Sequence, residues 1–250
     1  MIVLAVLLQP FIYIGIALSF LTLILPVSIV ALPFSQYRRL KMTAPCWRLY
    51  FSLTLRWISL ARITKFDYRD EQSKKALIPQ GLYIANHQSF ADIPLIFSTF
   101  IIPPIMKKSL VYIPIFGICC YASGAILVDR AKGSSRKKVF MIAARRLKEG
   151  FKHLQYYPEG TRSKDGIPRD FKNIKAALIR YAYNQKIPVF PISIAGTKDL
   201  VQHGLIIPGS KLGIIFHASL NPTEFSNEDE FARACWEQVK QGHKELTEIK

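Results

Sequence analysis

The first 37 residues contain no Lys, Arg, Asp or Glu, and an uncharged run of that length points the start of the chain towards lipid. Within it, Phe11 to Phe34 is a 24-residue apolar stretch broken only by Ser19, Thr22, Ser28, Pro26 and Pro33, and fifteen of its residues are Leu, Ile, Phe or Val. At about −0.3 to −0.6 kcal/mol each on an insertion scale, these sum to several kcal/mol in favour of the bilayer. As a helix the stretch is roughly 36 Å long, enough for a hydrocarbon core. A cleaved signal peptide would carry positive charge ahead of the apolar run, and none is present. The prolines leave open whether the segment crosses the bilayer or dips in and returns. The first charges, Arg38, Arg39 and Lys41, follow it, which places the rest of the chain on the cytoplasmic side of its membrane, a bacterial inner membrane.

The next segment, Cys46 to Ile63, is expected to support that attachment. On a helical wheel Arg48, Ser52, Arg56, Ser59 and Arg62 share one sector, while Trp47, Tyr50, Leu53, Trp57 and Leu60 fill the remainder. Aromatics opposite arginines suit a helix lying at the headgroup level, and a core helix with a solvated basic stripe is the alternative. Charge fits an anionic partner too: 34 Lys and Arg against 17 Asp and Glu give +17, which attracts nucleic acid, acidic lipid or a phosphorylated ligand or carrier. The four cysteines (Cys46, Cys119, Cys120, Cys235) have no C-x-x-C spacing, so a disulfide framework or zinc ribbon is excluded and a reducing compartment is the simpler reading.

Beyond residue 63 the pattern is that of an α/β domain. Strands are expected at Ile63–Tyr68, Gly81–Ala85, Ile105–Lys107, Ala125–Val128, Leu154–Tyr157, Val189–Ala195 and Leu212–Ala218, with helices at Ala91–Phe100, Ser134–Glu149, Lys172–Asn184 and Ser226–Leu246. The alternation predicts a mixed, largely parallel sheet flanked by helices, preceded by an N-terminal two-helix membrane-associated motif over residues 1–63, with residues 64–250 as the α/β domain. Ser226, Glu228, Asp229 and Glu230 give the last helix a cap and a complement to its positive end.

Two stretches carry chemistry. In Asn86-His87-Gln88-Ser89-Phe90-Ala91-Asp92 the histidine ends a strand, where ligands of such sheets bind, and a carboxylate five residues on can fold back across the turn. Asp92 would then hold one imidazole nitrogen protonated and leave the other to accept a proton; capping of a helix is the competing reading of the acid. In Tyr157-Pro158-Glu159-Gly160-Thr161-Arg162-Ser163, again after a strand, Gly160 permits a sharp turn with exposed N–H groups, and Arg162 can grip a phosphate through two parallel hydrogen bonds.

The two stretches together, in this order and about seventy residues apart, resemble the lysophosphatidic acid (1-acylglycerol-3-phosphate) acyltransferase family within the wider glycerolipid acyltransferases. Asn86-His87 through Asp92 matches its N-H-x-x-x-x-D motif, Gly124-Ala125-Ile126-Leu127-Val128-Asp129-Arg130 is similar to its second block, Pro158 through Ser163 to its third, and Ile187-Pro188-Val189-Phe190-Pro191 to its fourth. The resemblance spans residues 40 to 220. It implies that His87 is the general base on the acceptor hydroxyl and that Asp92 orients it. Glu159, Gly160, Thr161 and Arg162 are implied for the acceptor site, Arg162 on the phosphate, with Lys108 and Arg130 as further basic contacts. The partners implied are a lysophospholipid acceptor, an acyl carrier protein or coenzyme A thioester donor, and an anionic membrane surface. No metal or other cofactor is called for, because the thioester is already activated. Ser89, Cys119 and Cys120 read as structural. Arg136, Lys137, Lys138, Arg145, Arg146 and Lys148 form a cationic loop and helix that would face anionic lipid or the acidic carrier, or simply solvent. The remaining histidines, His153, His203, His217 and His243, read as ordinary strand or surface residues.

Other classes fit less well. A nucleic-acid binder shares the charge but shows no module pattern and does not need the apolar start. A lipid hydrolase would bring a G-x-S-x-G elbow, which is missing. Gly204 to Lys211 has the Lys and Ser of a phosphate loop in the wrong order. Clustered metal ligands are lacking, and intact His87 and Asp92 argue against a non-catalytic lipid binder. The acceptor itself is open among lysophosphatidic acid, other lysophospholipids, a lyso-ornithine lipid and glycerol 3-phosphate.

Overall fold

The computed structural model describes residues 2–76, 81–102, 105–113, 116–123, 126–128, 140–145 and 153–249. Its centre is a five-stranded sheet in the order β1-β9-β6-β2-β5, built from β1 (Arg62–Asp67), β2 (Gly81–Ala85), β5 (His153–Tyr156), β6 (Val189–Ala195) and β9 (Lys211–Phe216). The pairs β1·β9, β2·β5 and β2·β6 are parallel, and β6·β9 is antiparallel. The mixed, mostly parallel sheet is therefore as expected. β2 and β6 are buried along their whole length, as their continuous apolar runs require of strands covered on both faces. Two short pairs lie outside this sheet: β3 (Ile105–Lys107) parallel to β4 (Ile126–Val128), and β7 (Val201–Gln202) against β8 (Leu205–Ile206).

On one face sit α5 (Asp92–Phe97) and the N-terminal helices. α1 (Ile2–Ser19) runs through a π-helical turn at Phe20–Ile24 into α2 (Leu25–Ala31). That turn sits just ahead of Pro26, which has no N–H to give the helix ladder, a usual place for such a bulge. The stretch Ala5–Ala31, 27 residues with mean hydropathy 2.4, is long and apolar enough to cross a membrane. The chain reverses at Leu32–Ser35, where buried Arg39 donates to the Phe34 carbonyl (2.8 Å), and α3 (Gln36–Leu53) returns along it. Phe20 packs edge-on against Trp47 and Tyr50 with ring centroids 6.0 and 5.7 Å away, and Gly15 lies against Ile58. Here the structure departs from the expected interfacial helix over 46–63. Helical geometry ends at Ile58, Arg62 begins a strand, and Trp47, Tyr50 and Leu55 point into the core shared with the sheet. The return helix needs a partner for its aromatic side, and α1 supplies one. Leu49, Trp57 and Leu60 stay exposed. The outer side of α1 and α2 is an apolar stripe through Leu7, Phe11, Ile14, Leu18 and Val30, with Phe11 73% exposed. The base of α1 is tied to the hairpin of β7 and β8: Gln9 donates to the Ile206 carbonyl (2.7 Å) and accepts from its N–H (3.1 Å), and Tyr13 donates to the Gly204 carbonyl (2.6 Å).

The opposite face carries α8 (Ala177–Asn184) and α10 (Glu228–Ile249). Between the faces the chain also forms α4 (Glu71–Lys75), α6 (Phe116–Ala122), a helical stretch α7 at 140–145 and the single turn α9 (Thr197–Leu200). The remainder of the helix expected at Ser134–Glu149 lies outside the described residues. α10 buries Phe231, Cys235, Trp236, Val239 and Leu246, the stripe its spacing predicts. Its cap is Asn227, whose Oδ1 accepts from the N–H groups of Asp229 (3.1 Å) and Glu230 (2.9 Å), rather than Ser226; the Ser226 N–H donates instead to Glu230. α8 starts five residues later than expected, because Lys175 N–H donates to the Pro158 carbonyl (2.8 Å) and the Lys175 carbonyl accepts from Tyr156 (2.8 Å), which pulls that segment out of the helix.

His217 and His243, expected in ordinary strand or surface positions, are buried beneath α10. Ser193 donates to the Val239 carbonyl (2.8 Å), so it accepts from His217 Nε2 (2.8 Å), while His243 Nδ1 meets the Ile194 carbonyl at 2.9 Å. Gly242 is what lets α10 approach so closely: a Cβ there would come within 2.5 Å of Ser193 Oγ and 2.6 Å of His217 Nε2. Burial pushes the His217 imidazole down to about 4 from an ordinary value near 6.5. The unfolded chain therefore binds a proton that the folded chain refuses, and stability, complete above the ordinary value, declines as the pH falls towards about 4. The loss amounts to about 3 kcal/mol over that interval. Urea unfolding of His217→Gln at pH 7 and pH 4.5 should show a smaller loss on acidification than the parent chain shows.

Candidate active site

β2, buried on every side, delivers Asn86 to the end of the sheet. The Asn86 amide donates to the carbonyl of Ile194 (2.9 Å) and accepts from its N–H (2.8 Å), locking the end of β2 to its neighbour β6. The next residue is His87. The chain then turns into α5, and the first residue of that helix, Asp92, is fully buried. Its Oδ2 lies 2.7 Å from His87 Nδ1 and accepts the N–H groups of Gln88 (2.7 Å) and Ser89 (3.1 Å), while Oδ1 accepts the hydroxyl of Thr197. A carboxylate with no water contact keeps its charge only if its lone pairs are filled, and four donors fill them here. The carboxylate fixes the proton of His87 on Nδ1, which leaves Nε2 as the proton acceptor. The imidazole is partly exposed, with one face against Tyr157, whose ring stacks at 4.2 Å and 23°. Tyr157 is itself held by Gln155, which donates to its hydroxyl (2.7 Å).

The turn after β5 reaches the histidine because β5 is the parallel neighbour of β2. Two bonds close the gap: Glu159 Oε1 accepts the His87 N–H (2.9 Å), and the Ser163 N–H donates to the His87 carbonyl (2.8 Å). Glu159 is buried, with Arg169 Nε 3.8 Å from its other oxygen, and burial raises its carboxyl above the ordinary carboxylate value. It joins the two segments rather than facing outwards. Gly160 adopts φ +69°, and a Cβ there would collide with the Lys175 ammonium, so both backbone and space select glycine. Thr161 and Arg162 are exposed on this turn. The Arg162 guanidinium lies 4.2 Å over the Phe90 ring and has no hydrogen bond among the described residues, so its fork is available to an anion.

Of the expected site residues, His87, Asp92, Glu159, Gly160, Thr161 and Arg162 are therefore brought together. Lys108 is exposed on a 3-10 turn after β3, in no contact with them that the structure records. Arg130 lies outside the described residues, as do all members of the cationic segment 136–148 except the exposed Arg145. Ser89 spends its hydroxyl proton on the Thr197 carbonyl (2.8 Å) and accepts the Ala91 N–H (3.0 Å), so it is a turn-forming residue. Cys119 is buried and its thiol is pushed up by that burial. Among the described residues no three His, Cys, Asp or Glu side chains gather as metal ligands. Thr197, Tyr157 and Phe90 are parts of the site that the sequence did not single out. Tyr157 and Phe90 lay inside the motifs, but nothing in their spacing signals a stacked ring. Thr197 is 105 residues from its partner Asp92.

Comparison with known proteins gives the following. A family model described as acyltransferase matches residues 66–195. The chain is 29% identical over 141 residues to the 1-acyl-sn-glycerol-3-phosphate acyltransferase of Haemophilus influenzae, covering 55% of this chain and 56% of that protein. It is 32% identical over 165 residues to the enzyme of the same description from Chlamydomonas reinhardtii, covering 63% and 47%. The chain thus spans about half the length of the curated relatives it matches. The crystal structure of the 1-acyl-sn-glycerophosphate acyltransferase from Thermotoga maritima superposes with a TM-score of 0.76 at 25% identity, over 98% of this chain and 97% of that one.

Replacing Thr197 by Val keeps the shape and removes one of four donors to Asp92. The unfolding free energy should fall by about 1.5–3 kcal/mol, the range for a hydrogen bond to a buried charge, whereas Thr197→Ser should stay close to the parent in the same denaturant titration.

Proposed function

The chain belongs to the acyltransferase family, and we propose that it moves a fatty acyl group from an acyl thioester to the free hydroxyl of lysophosphatidic acid, giving phosphatidic acid, with His87 as general base. The observation that carries this reading is the 2.7 Å contact between His87 Nδ1 and an Asp92 carboxylate shut away from water, beside an arginine on a glycine turn. In this reading Nε2 takes the proton of the acceptor hydroxyl as its oxygen attacks the thioester carbonyl. The tetrahedral adduct collapses, the C–S bond breaks, and the imidazolium returns the proton to the departing sulfur. Asp92 stays ionised throughout and stabilises the imidazolium. A base of this kind contributes about 10²–10⁴-fold, and holding alcohol and thioester together supplies more. Arg162 takes the acceptor phosphate, with Gly160 and Thr161 shaping the turn and Glu159 holding it against His87. Lys108 and Arg130 are further proposed contacts.

The same reading puts the protein at a membrane, with residues 64–250 on the cytoplasmic face and residues 1–63 as the attachment. What supports it is the helical hairpin: one side of α1 and α2 is covered by α3, and the other is an apolar stripe with nothing over it. A helix sided in this way suits the plane of the interface, with one face in the acyl boundary, better than a surround of lipid.

His87→Ala should abolish turnover while the protein still folds and sediments with vesicles; near-normal rates would overturn the mechanism. Arg162→Ala should raise the KM for the acceptor by roughly 10- to 150-fold, the equivalent of about 1.5–3 kcal/mol, with a smaller change in kcat. Mass spectrometry of the products from a panel of lyso-acceptors, each offered with acyl carrier protein and coenzyme A thioesters, identifies both substrates. Free fatty acid as the main product would make the protein a hydrolase.

A further inference from the structure

A second polar cavity, of about 300 Å³, lies on the same face of the sheet as His87 but well away from it, between the end of α3 and the edge strand β1. Arg48, Arg56, Lys65, Arg69 and Lys74 contribute to its wall, against a single carboxylate, Asp67. Asp67 is committed to Arg69 through two hydrogen bonds (2.8 and 2.7 Å), and Lys74 is paired with Glu71 (2.9 Å). That leaves Arg48 and Arg56 with no carboxylate among the described residues, and Lys65 with only a 3.9 Å contact to the already occupied Asp67. Burial, and then the neighbouring Arg69, Arg48 and Arg56, push the Lys65 ammonium down against the pull of Asp67. Three cations held around a concave wall repel one another unless an anion joins them.

The cavity cannot serve the acceptor phosphate. Ser98 and Thr99 on its wall follow α5, whereas Asp92 begins it, a separation of about 9 Å along the helix. Across the sheet, β1 is three strands from β2, about 14 Å. A lysophospholipid whose hydroxyl sits on His87 carries its phosphate on the same three-carbon backbone and does not reach so far. The surroundings identify a different ligand. Arg48, Ser52 and Arg56 form one row of the α3 helix and its π-helical end, and Leu49, Trp57 and Leu60 lie alongside, Trp57 being 74% exposed. A basic hollow with an apolar lip is complementary to a phosphate head with chains attached.

We propose that this cavity is a non-catalytic site for the phosphate headgroup of an anionic phospholipid of the surrounding membrane, gripped by Arg48, Arg56 and Lys65 with an acyl chain along Leu49 and Trp57. The proposal rests on the membrane-associated reading above and adds to it a discrete pocket, so that attachment selects lipid by charge.

The test uses the full chain in neutral detergent micelles, titrated calorimetrically with dihexanoyl phosphatidylglycerol, with phosphatidylcholine of the same chain length, and with glycerol 3-phosphate. Phosphatidylglycerol should bind at least tenfold more tightly than phosphatidylcholine. Arg48→Gln with Arg56→Gln, both exposed and so harmless to folding, should remove that tenfold preference. Lys65→Met should weaken it in part, and Arg162→Ala should leave it unchanged. Equal binding by the double variant and the parent, or equal binding of the two lipids, overturns the proposal. Displacement by equimolar glycerol 3-phosphate also overturns it, by making the pocket a site for soluble phosphates. Sedimentation with pure phosphatidylcholine vesicles judges the membrane reading separately: if the parent chain fails to sediment, that reading falls, while the micelle titration still decides for or against the pocket.

Discussion

One buried carboxylate organises the end of the sheet. Asp92 is removed from water, a situation that costs several kcal/mol unless every lone pair is used, and it is satisfied only when the turn from Gln88 to Ser89, the imidazole of His87 and the hydroxyl of Thr197 all converge on it. The turn conformation, the tautomer of the histidine and the position of the segment after β6 are thus set by a single charge. The requirement that makes the proposed base work is also a requirement of folding, so site and scaffold cannot be separated at this point.

The rest of the site follows from strand order. β2 lies between β5 and β6 in a parallel arrangement, so three chain segments leave the sheet at the same end. Asn86 stitches β2 to β6 through both atoms of its amide, and Glu159 and Ser163 clamp the turn after β5 onto the backbone of His87. Glu159 therefore acts as a buried joint, whereas Arg162, three residues on, is carried outwards over Phe90. Two residues of one short motif have opposite tasks because the glycine between them reverses the chain.

Much of this could be read from the sequence, for identifiable reasons. Each strand of the central sheet follows a short apolar run, and His87 with Asp92 is a local pair whose geometry a single turn determines. What escaped notice depends on distant partners. Thr197 bonds to Asp92 across 105 residues, and Tyr157 touches His87 only because β5 neighbours β2. The aromatic side of α3 was assigned to the headgroup region because the sequence does not tell that α1 folds back to cover Trp47 and Tyr50. Likewise His217 and His243 sit below α10, and their burial depends on Gly242, a residue that carries no chemistry of its own. The start of α8 was misjudged because the Pro158 carbonyl and the Tyr156 hydroxyl compete for the backbone of Lys175.

The attachment of α1 to the loop of β7 and β8 has a mechanical meaning. Gln9 grips both backbone groups of Ile206, and Tyr13 holds Gly204, while the far end of the hairpin packs into the same core as β6 and β9. A helix joined to its domain by a lone flexible tether would let the cleft wander and tilt above whatever surface the helix rests on. Fastened at both ends, it behaves as the keel of a hull, and the histidine keeps one height and one heading relative to the apolar stripe.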